Sequence, residues 1–139
     1  MKNFLAMAGW IACLLPSIAQ SQVVTITHPG VNAQASSPDQ VANVFLGKSD
    51  ALPGAAALRP IDQPEGSEAR EQFYKSMANR DQAQVKAYWA RMIFTGKGKP
   101  PPSAQSDADV KKFVSTNPGA IGYISKGAVD NSVKVLPTP

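Results

Sequence analysis

The sequence contains very few of the side chains from which metal centres and catalytic sites are usually built. Its 139 residues include a single cysteine, Cys13, and a single histidine, His28. A lone histidine without Cys, Asp or Glu at ligand spacing is more often structural or solvated than a metal ligand. The sequence also lacks a G-x-S-x-G motif and any Ser/His/Asp set of familiar spacing. We therefore expect a protein that is not an enzyme and that has no metal site and no cofactor.

Long apolar runs are also scarce, and the longest one lies at the beginning of the chain. Lys2 precedes an apolar run over residues 4–15, and Ser17-Ile18-Ala19 ends it with a small residue at its first and last positions. This order is typical of a secretory signal peptide, so we expect residues 1–19 to be cleaved and the mature protein to be periplasmic or secreted. The run is shorter than the roughly 18 apolar residues that a membrane helix needs, and we expect no membrane span in the mature form.

The lack of cysteine after this segment has a consequence for stability. Because Cys13 lies inside the predicted signal peptide, residues 20–139 contain no disulfide and depend on a hydrophobic core. A faint lipobox, Ile11-Ala12-Cys13, leaves a lipoprotein as the alternative to simple export. The length of residues 20–139 suits one small domain.

The charge is mildly positive and is not concentrated. The formal net charge is +4, and the Lys and Arg residues are scattered instead of lying on one stripe with interleaved aromatics. Nucleic-acid binding is therefore not expected, although a modest positive field suits an anionic ligand.

Capping residues and apolar periodicity predict an α/β domain with a small mixed sheet and about four helices. The β-branched residues 23–28 predict the first strand, and further short strands are predicted at 58–61, 120–125 and 133–136. Four helices are predicted to begin at the capping residues Ser37, Ser67, Asp81 and Ser106.

Each predicted helix carries a stripe of apolar residues that we expect to face the core. The expected inward positions are 41, 44 and 45 in the first helix, 69, 73 and 77 in the second, 85, 88, 89, 92 and 93 in the third, and 110, 113 and 114 in the fourth. Tyr88, Trp89 and Phe94 are predicted to be core aromatics, with Tyr88 near the rim of the core.

The start of the second helix is the one stretch with the features of a binding site. In DQPEGSEAREQF, residues 62–73, a Gly-Ser pair is followed directly by a helical pattern with Arg70 one turn in. The start of a helix presents unpaired N–H groups and a partial positive charge, which together bind anions. The alternative is that Ser67 only caps its helix and that Arg70 pairs with a nearby acid.

Residues 66–73, GSEAREQF, resemble the oxyanion-binding motif of the periplasmic phosphate-binding proteins of ABC transporters. In that family a Gly-Ser-Gly-Thr-Arg run opens a helix and wraps a phosphate. Residues 41–48, VANVFLGK, are similar to the family's helix that ends in Ile-Phe-x-Gly, and residues 117–124, NPGAIGYI, are similar to its Pro-Gly-Ala-Ile-Gly-Tyr strand entry. The three blocks follow the family's order.

The resemblance covers only one of the two lobes that such proteins have. It implies that residues 20–139 form a single lobe of a type 2 periplasmic binding protein. It also implies a role as the solute-binding component of phosphate ABC transport. The implied partners are inorganic phosphate or a similar oxyanion, and an ABC permease or further copies of the same chain.

The motif departs from the family pattern at two positions. Gly66, Ser67 and Arg70 match, whereas Glu68 replaces the second glycine and Ala69 replaces the threonine. The resemblance implies that these five residues form the anion site, but Glu68 brings a negative charge that repels an anion. The alternative function is a non-catalytic interaction module, derived from such a lobe, in which the ligand site has decayed.

Overall fold

A mixed sheet and four helices make up the part of the protein that the computed structural model describes, residues 22–138. The elements are β1 Val23–Thr27, α1 Pro38–Phe45, β2 Arg59–Pro60, α2 Glu68–Ala78, α3 Gln82–Phe94, α4 Asp107–Thr116, β3 Ala120–Ser125, a 3₁₀ turn Lys126–Ala128, and β4 Lys134–Val135. The predicted signal peptide and Cys13 lie outside the described residues. Within them, no helix has the length and apolar character that crossing a bilayer requires.

The strands lie in the order β2-β3-β1-β4. β1 is antiparallel to both β3 and β4, whereas β2 runs parallel to β3. The register pairs Val23 with Ser125 and Thr27 with Ile121. β1 is therefore paired with β3 along its whole length, and the two strands form the centre of the sheet. The predicted α/β architecture with a small mixed sheet is confirmed.

The edge strand β2 carries a proline on its outer side. The N–H groups of Arg59 and Ile61 donate to Gly119 O and Ile121 O of the β3 side, at 2.9 and 2.8 Å. Position 60 between them therefore faces away from β3, and Pro60 has no N–H to donate there.

The predicted helix starts are confirmed by the capping geometry. Ser37 and Asp81 each form a reciprocal capping box with the glutamine three residues on. Ser67 and Ser106 each accept a hydrogen bond from the N–H three residues on.

The core lies on both faces of the sheet. Ile121 and Tyr123 point to the face covered by α1 and α2, where Phe73 stacks on Tyr123 with ring centroids 4.0 Å apart. Ala120 and Ile124 point to the opposite face, which α4 covers. Gly122 lies between them on the α4 face, where an added Cβ would stand 2.7 Å from Val110 Cγ1. Glycine therefore lets α4 pack directly on the strand.

Two of the predicted core residues of α3 are on the surface. Phe94 is 91% exposed and Ile93 is 56% exposed, so the assignment of both to the core is wrong. The buried residues of α3, Val85, Tyr88 and Trp89, all precede its last turn. Periodicity identifies the inward face of a helix but not the point at which its neighbours stop covering it.

A further difference concerns α2. The expected inward residues Ala69 and Met77 are only partly buried, and Phe73 is fully buried as predicted. Arg70 and Tyr74, which the apolar stripe did not include, are buried as well. The inward face of α2 is therefore partly polar, and this polar part forms the site described next.

Candidate functional site

The first turn of α2 is open to solvent and is held in place by its neighbours. Ser67 Oγ accepts a hydrogen bond from Arg70 N at 3.3 Å, and Gly66 N donates to Gln82 Oε1 of α3 at 2.6 Å. Gly66 has φ +87, a left-handed conformation that favours glycine. Ser67 is partly exposed and Glu68 is fully on the surface. The structure thus places Gly66, Ser67, Glu68 and Ala69 together at an accessible helix start.

Glu68 lies along the side of the helix. Its Oε1 accepts a hydrogen bond from Gln72 Nε2 at 3.0 Å, one turn further on. Glu71 adds a second acid to the same first turn. Both carboxylates complement the positive end of the α2 dipole, and they reduce the field available to an external anion.

Arg70 turns inward from this helix start and lies next to Asp62. Its Nε is 3.6 Å from Asp62 Oδ1, and the two side chains are only 10% and 4% exposed. The guanidinium carbon lies 5.5 Å from the centre of the Tyr74 ring. Nε has no hydrogen-bond partner among residues 22–138, so the pair is a close charge contact without a direct hydrogen bond at that nitrogen.

Asp62 is the acceptor at the centre of a buried polar network. Tyr74 donates its hydroxyl to Oδ2 at 2.5 Å, Tyr123 donates to Oδ1, and Gln63 N donates to Oδ1 at 2.8 Å. A buried carboxylate is stable only when such donors and a cation replace water. These donors and Arg70 supply that compensation.

The two tyrosines are firmly in the protonated form. Burial raises the pKa of Tyr74 and of Tyr123 well above the usual range, and the negative charge of Asp62 raises both further. A hydroxyl that keeps its proton remains a donor, so both tyrosines go on supporting Asp62 over the whole neutral range.

Gln63 joins this network to the start of α4. Its Nε2 donates to Asp107 Oδ1 at 2.7 Å and to Tyr123 O at 2.9 Å. Asp107 Oδ2 in turn accepts from Ser125 N at 3.3 Å, at the end of β3. The network therefore fixes the loop after β2, from which α2 starts, to the central strand.

Sequence patterns singled out Ser67 and Arg70 but missed their buried partners. Asp62 and Gln63 follow directly on the short strand predicted at 58–61, and a polar pair that directly continues a strand was the available signal. Tyr123 could not be paired with Asp62 from the sequence, because they lie 61 positions apart.

The polar clusters of the described residues contain no set of three or more His, Cys, Asp or Glu side chains that could hold a metal ion. His28 Nδ1 accepts a hydrogen bond from Gly30 N at 2.9 Å within its own turn. The candidate site itself consists of hydrogen-bond donors and one paired cation at a helix start.

Comparison with known proteins finds similarity in structure alone. No protein-family model and no curated protein matches the chain. Solved structures do match, among them three that each align with 84% of this chain. A putative phosphate ABC transporter substrate-binding protein with bound phosphate from Clostridium perfringens has a TM-score of 0.62 and 22% identity. An ABC-type phosphate transport receptor from Vibrio cholerae has a TM-score of 0.64, and PstS from Borrelia burgdorferi one of 0.63, each at 17% identity.

The similarity extends over less than half of those proteins. The chain covers 44%, 45% and 46% of their respective lengths. At these identities the comparison shows the fold. The predicted fold class is confirmed, because the described residues have the α/β fold of a single lobe of such binding proteins.

Proposed function

We propose that the mature protein, residues 20–139, is an exported oxyanion-binding lobe of the phosphate-binding type. It would hold inorganic phosphate or a similar oxyanion at Gly66, Ser67, Glu68, Ala69 and Arg70, and would act as a solute-binding component of phosphate ABC transport. The observation that carries the proposal is the exposed first turn of α2, set on a fold shared with proteins described as phosphate-binding.

The first turn of α2 supplies the donors. The N–H groups of Glu68 and Ala69 belong to the first turn, where a helix has no acceptor of its own for them. Together with the helix dipole they favour an anion at this point. The hydroxyl of Ser67 adds one further donor, since its oxygen accepts from Arg70 N while its proton is free to rotate.

Two features of the site keep the binding weak. Asp62 already compensates the charge of Arg70, and Glu68 repels an incoming anion. We therefore expect affinity in the millimolar range, and tighter binding only when a permease or a second copy covers the helix start.

The decisive experiment replaces Ser67 by a residue that caps the helix equally well. Asp is as good an N-cap as Ser, so Ser67→Asp should keep the stability of α2 while placing a negative charge at the anion position. Phosphate is titrated at pH 7.5 into the mature protein, and the amide shifts of Glu68 and Ala69 are followed by NMR. We expect saturable shifts that Ser67→Asp abolishes.

The matched control is Ser106→Asp, the same change at the start of α4. It should leave the phosphate titration unchanged. Absence of amide shifts in the wild-type protein at about 10 mM phosphate, roughly tenfold above a millimolar dissociation constant, would contradict the proposal. So would identical titrations of the wild-type and Ser67→Asp proteins.

A second function is favoured by one observation, the buried pairing of Arg70 with Asp62. A cation that is already paired is less available to a ligand, as expected of a lobe kept as a non-catalytic interaction module. In that case phosphate does not bind, and the mature protein elutes as an oligomer or with a partner protein. Light scattering on the purified protein, together with the phosphate titration, separates the two functions.

A further inference from the structure

A groove beside the edge strand β2 combines an apolar floor with a positively charged rim. It lies between the end of α1, the edge strand β2 and the Lys/Pro loop that follows α3, and its volume is about 770 Å³. This volume falls in the range of ligand pockets, about 300–1,000 Å³. We name it the basic groove and define it by Lys48, Arg59, Trp89, Lys99, Pro101 and Phe113.

The floor of the basic groove is built from rings. Trp89 and Phe113 line it together with three consecutive prolines, residues 100–102. Gly47 and Gly98 lie against the Trp89 ring, and the absence of a side chain at both positions leaves the edge of the indole uncovered by them. Trp89 Nε1 is buried and has no acceptor among the described residues. The indole N–H is therefore not accessible to an occupant, and what the floor offers is apolar surface.

The rim carries more positive than negative charge. Lys48, Arg59 and Lys99 line the basic groove, against one acid, Asp50. The ion pairs formed within residues 22–138 involve none of these four side chains. The excess of positive charge extends along α3 and the loop that follows it, since residues 82–106 contain four basic residues and no acidic one. An occupant with negative charges therefore complements this surface.

The shape and the edge chemistry decide between classes of occupant. Strand addition to β2 is blocked, because Pro60 presents no N–H at that edge. The groove has a volume of about 770 Å³, which suits a narrow chain better than a flat bilayer. An extended peptide directs alternate side chains to opposite sides, so apolar residues can reach the floor while acidic residues meet the rim.

We propose that the basic groove docks an extended, acidic segment of a partner protein. Apolar side chains of the segment pack on Trp89 and Phe113, and its Asp and Glu side chains pair with Lys48, Arg59 and Lys99. The basic groove shares no residue with the helix start at Ser67, so the peptide proposal and the oxyanion proposal can be tested independently.

The test is a selection of random 12-residue peptides displayed on phage against the mature protein. The expected result is a consensus with at least two acidic residues flanking an apolar one. A synthetic consensus peptide should bind, and the Lys48→Glu/Lys99→Glu variant should weaken it at least roughly tenfold. Replacing the acids of the peptide by Gln should do the same. The matched control is Lys75→Glu/Lys126→Glu, with the same charge change on exposed lysines elsewhere, and should bind as the wild type does.

Several outcomes would overturn the proposal. The first is a phage selection that yields no consensus peptide, or a consensus that is neutral or basic. The second is peptide binding that the Lys48→Glu/Lys99→Glu variant leaves unchanged. Binding of vesicles with anionic lipid that only the groove variant loses, without peptide binding, would assign the surface to a membrane. Dimerisation that only the groove variant abolishes would assign it to a second copy. All four substituted lysines are exposed, so the variants should fold. Circular dichroism of each variant checks this and separates loss of binding from loss of structure.

Discussion

Arg70 and Asp62 form an ion pair inside the protein, with Nε 3.6 Å from Oδ1 and both side chains at most 10% exposed. The pair joins the first turn of α2 to the loop that follows β2. Asp62 also accepts hydrogen bonds from Tyr74, Tyr123 and Gln63 N. The residue that the sequence assigns to anion binding thus already has an anion of its own.

The first prediction concerns this pair. Arg70→Met should destabilise the protein by about 3–5 kcal/mol, because it leaves the Asp62 carboxylate buried without its cation. The double variant Arg70→Met/Asp62→Leu should lose less than the sum of the single variants, with a coupling of about 1–3 kcal/mol. Urea unfolding followed by tryptophan fluorescence gives these free energies.

The control for the pair is Lys86→Met, which breaks the ion pair of Lys86 with Glu65. Those side chains are 73% and 57% exposed, and an exposed pair contributes at most about 1 kcal/mol. Equal effects of Arg70→Met and Lys86→Met would show that the buried pair contributes no more to stability than the exposed pair.

The second prediction concerns alkaline pH. The pKa of Tyr74 and of Tyr123 is raised in the folded protein, so above about pH 10 the unfolded chain loses protons that the folded chain keeps. Stability is therefore full below pH 10 and falls above it, by up to about 1.4 kcal/mol per pH unit for each tyrosine. Urea midpoints between pH 8 and 11.5 measure this slope.

Tyr123→Phe removes one of the two titrating groups and should halve that alkaline slope, after correction for its own loss of stability at neutral pH. A slope equal to that of the wild type would rule out Tyr123 as a source of the alkaline instability.

The third prediction concerns the contact between α4 and β3. Gly122→Ala should destabilise the protein by about 1–3 kcal/mol, because the new methyl group would stand 2.7 Å from Val110 Cγ1 and 2.9 Å from Ile61 Cγ2. Gly127→Ala is the control, since nothing lies within 4 Å of its added Cβ. Thermal melts of both variants check the prediction, and similar melting temperatures would contradict it.

The fourth prediction rests on the proposed oxyanion site. Glu68→Gln removes a repulsive charge from the first turn of α2 and should strengthen phosphate binding roughly fivefold, about 1 kcal/mol. Asp109→Asn makes the same charge change in the first turn of α4 and should not alter phosphate binding. The NMR titration of the Ala69 amide gives both affinities. Weaker binding by Glu68→Gln than by the wild type would show that the Glu68 carboxylate supports the site.

Local chemistry explains which parts of the fold could be predicted from the sequence. Ser37 with Gln40, and Asp81 with Gln84, mark helix starts through contacts within four residues, so the sequence alone is sufficient to locate them. The turn at 117–119 and the largely apolar residues after it predict the strand at 120–125 with its observed bounds.

The features that were missed depend on contacts between distant parts of the chain. Phe94 lies on the surface because no neighbour covers the last turn of α3, and its apolar character gave no sign of this. Arg70 is buried because Asp62, Tyr74 and Tyr123 compensate it, and that arrangement exists only after β2 and β3 pair. The start of the site was therefore predictable, whereas the identity of its electrostatic partner was not.

Pro60 has a consequence for how this protein behaves among copies of itself. An exposed sheet edge is a template on which other chains can polymerise, and β2 forms one of the two edges here. Since Pro60 has no N–H to donate, a strand of another chain that paired with β2 would lack a backbone hydrogen bond at one of the two residues of β2. The other edge, β4, is itself only two residues long. The fold thus resists fibril growth through its own sheet, although it has no disulfide to lock it.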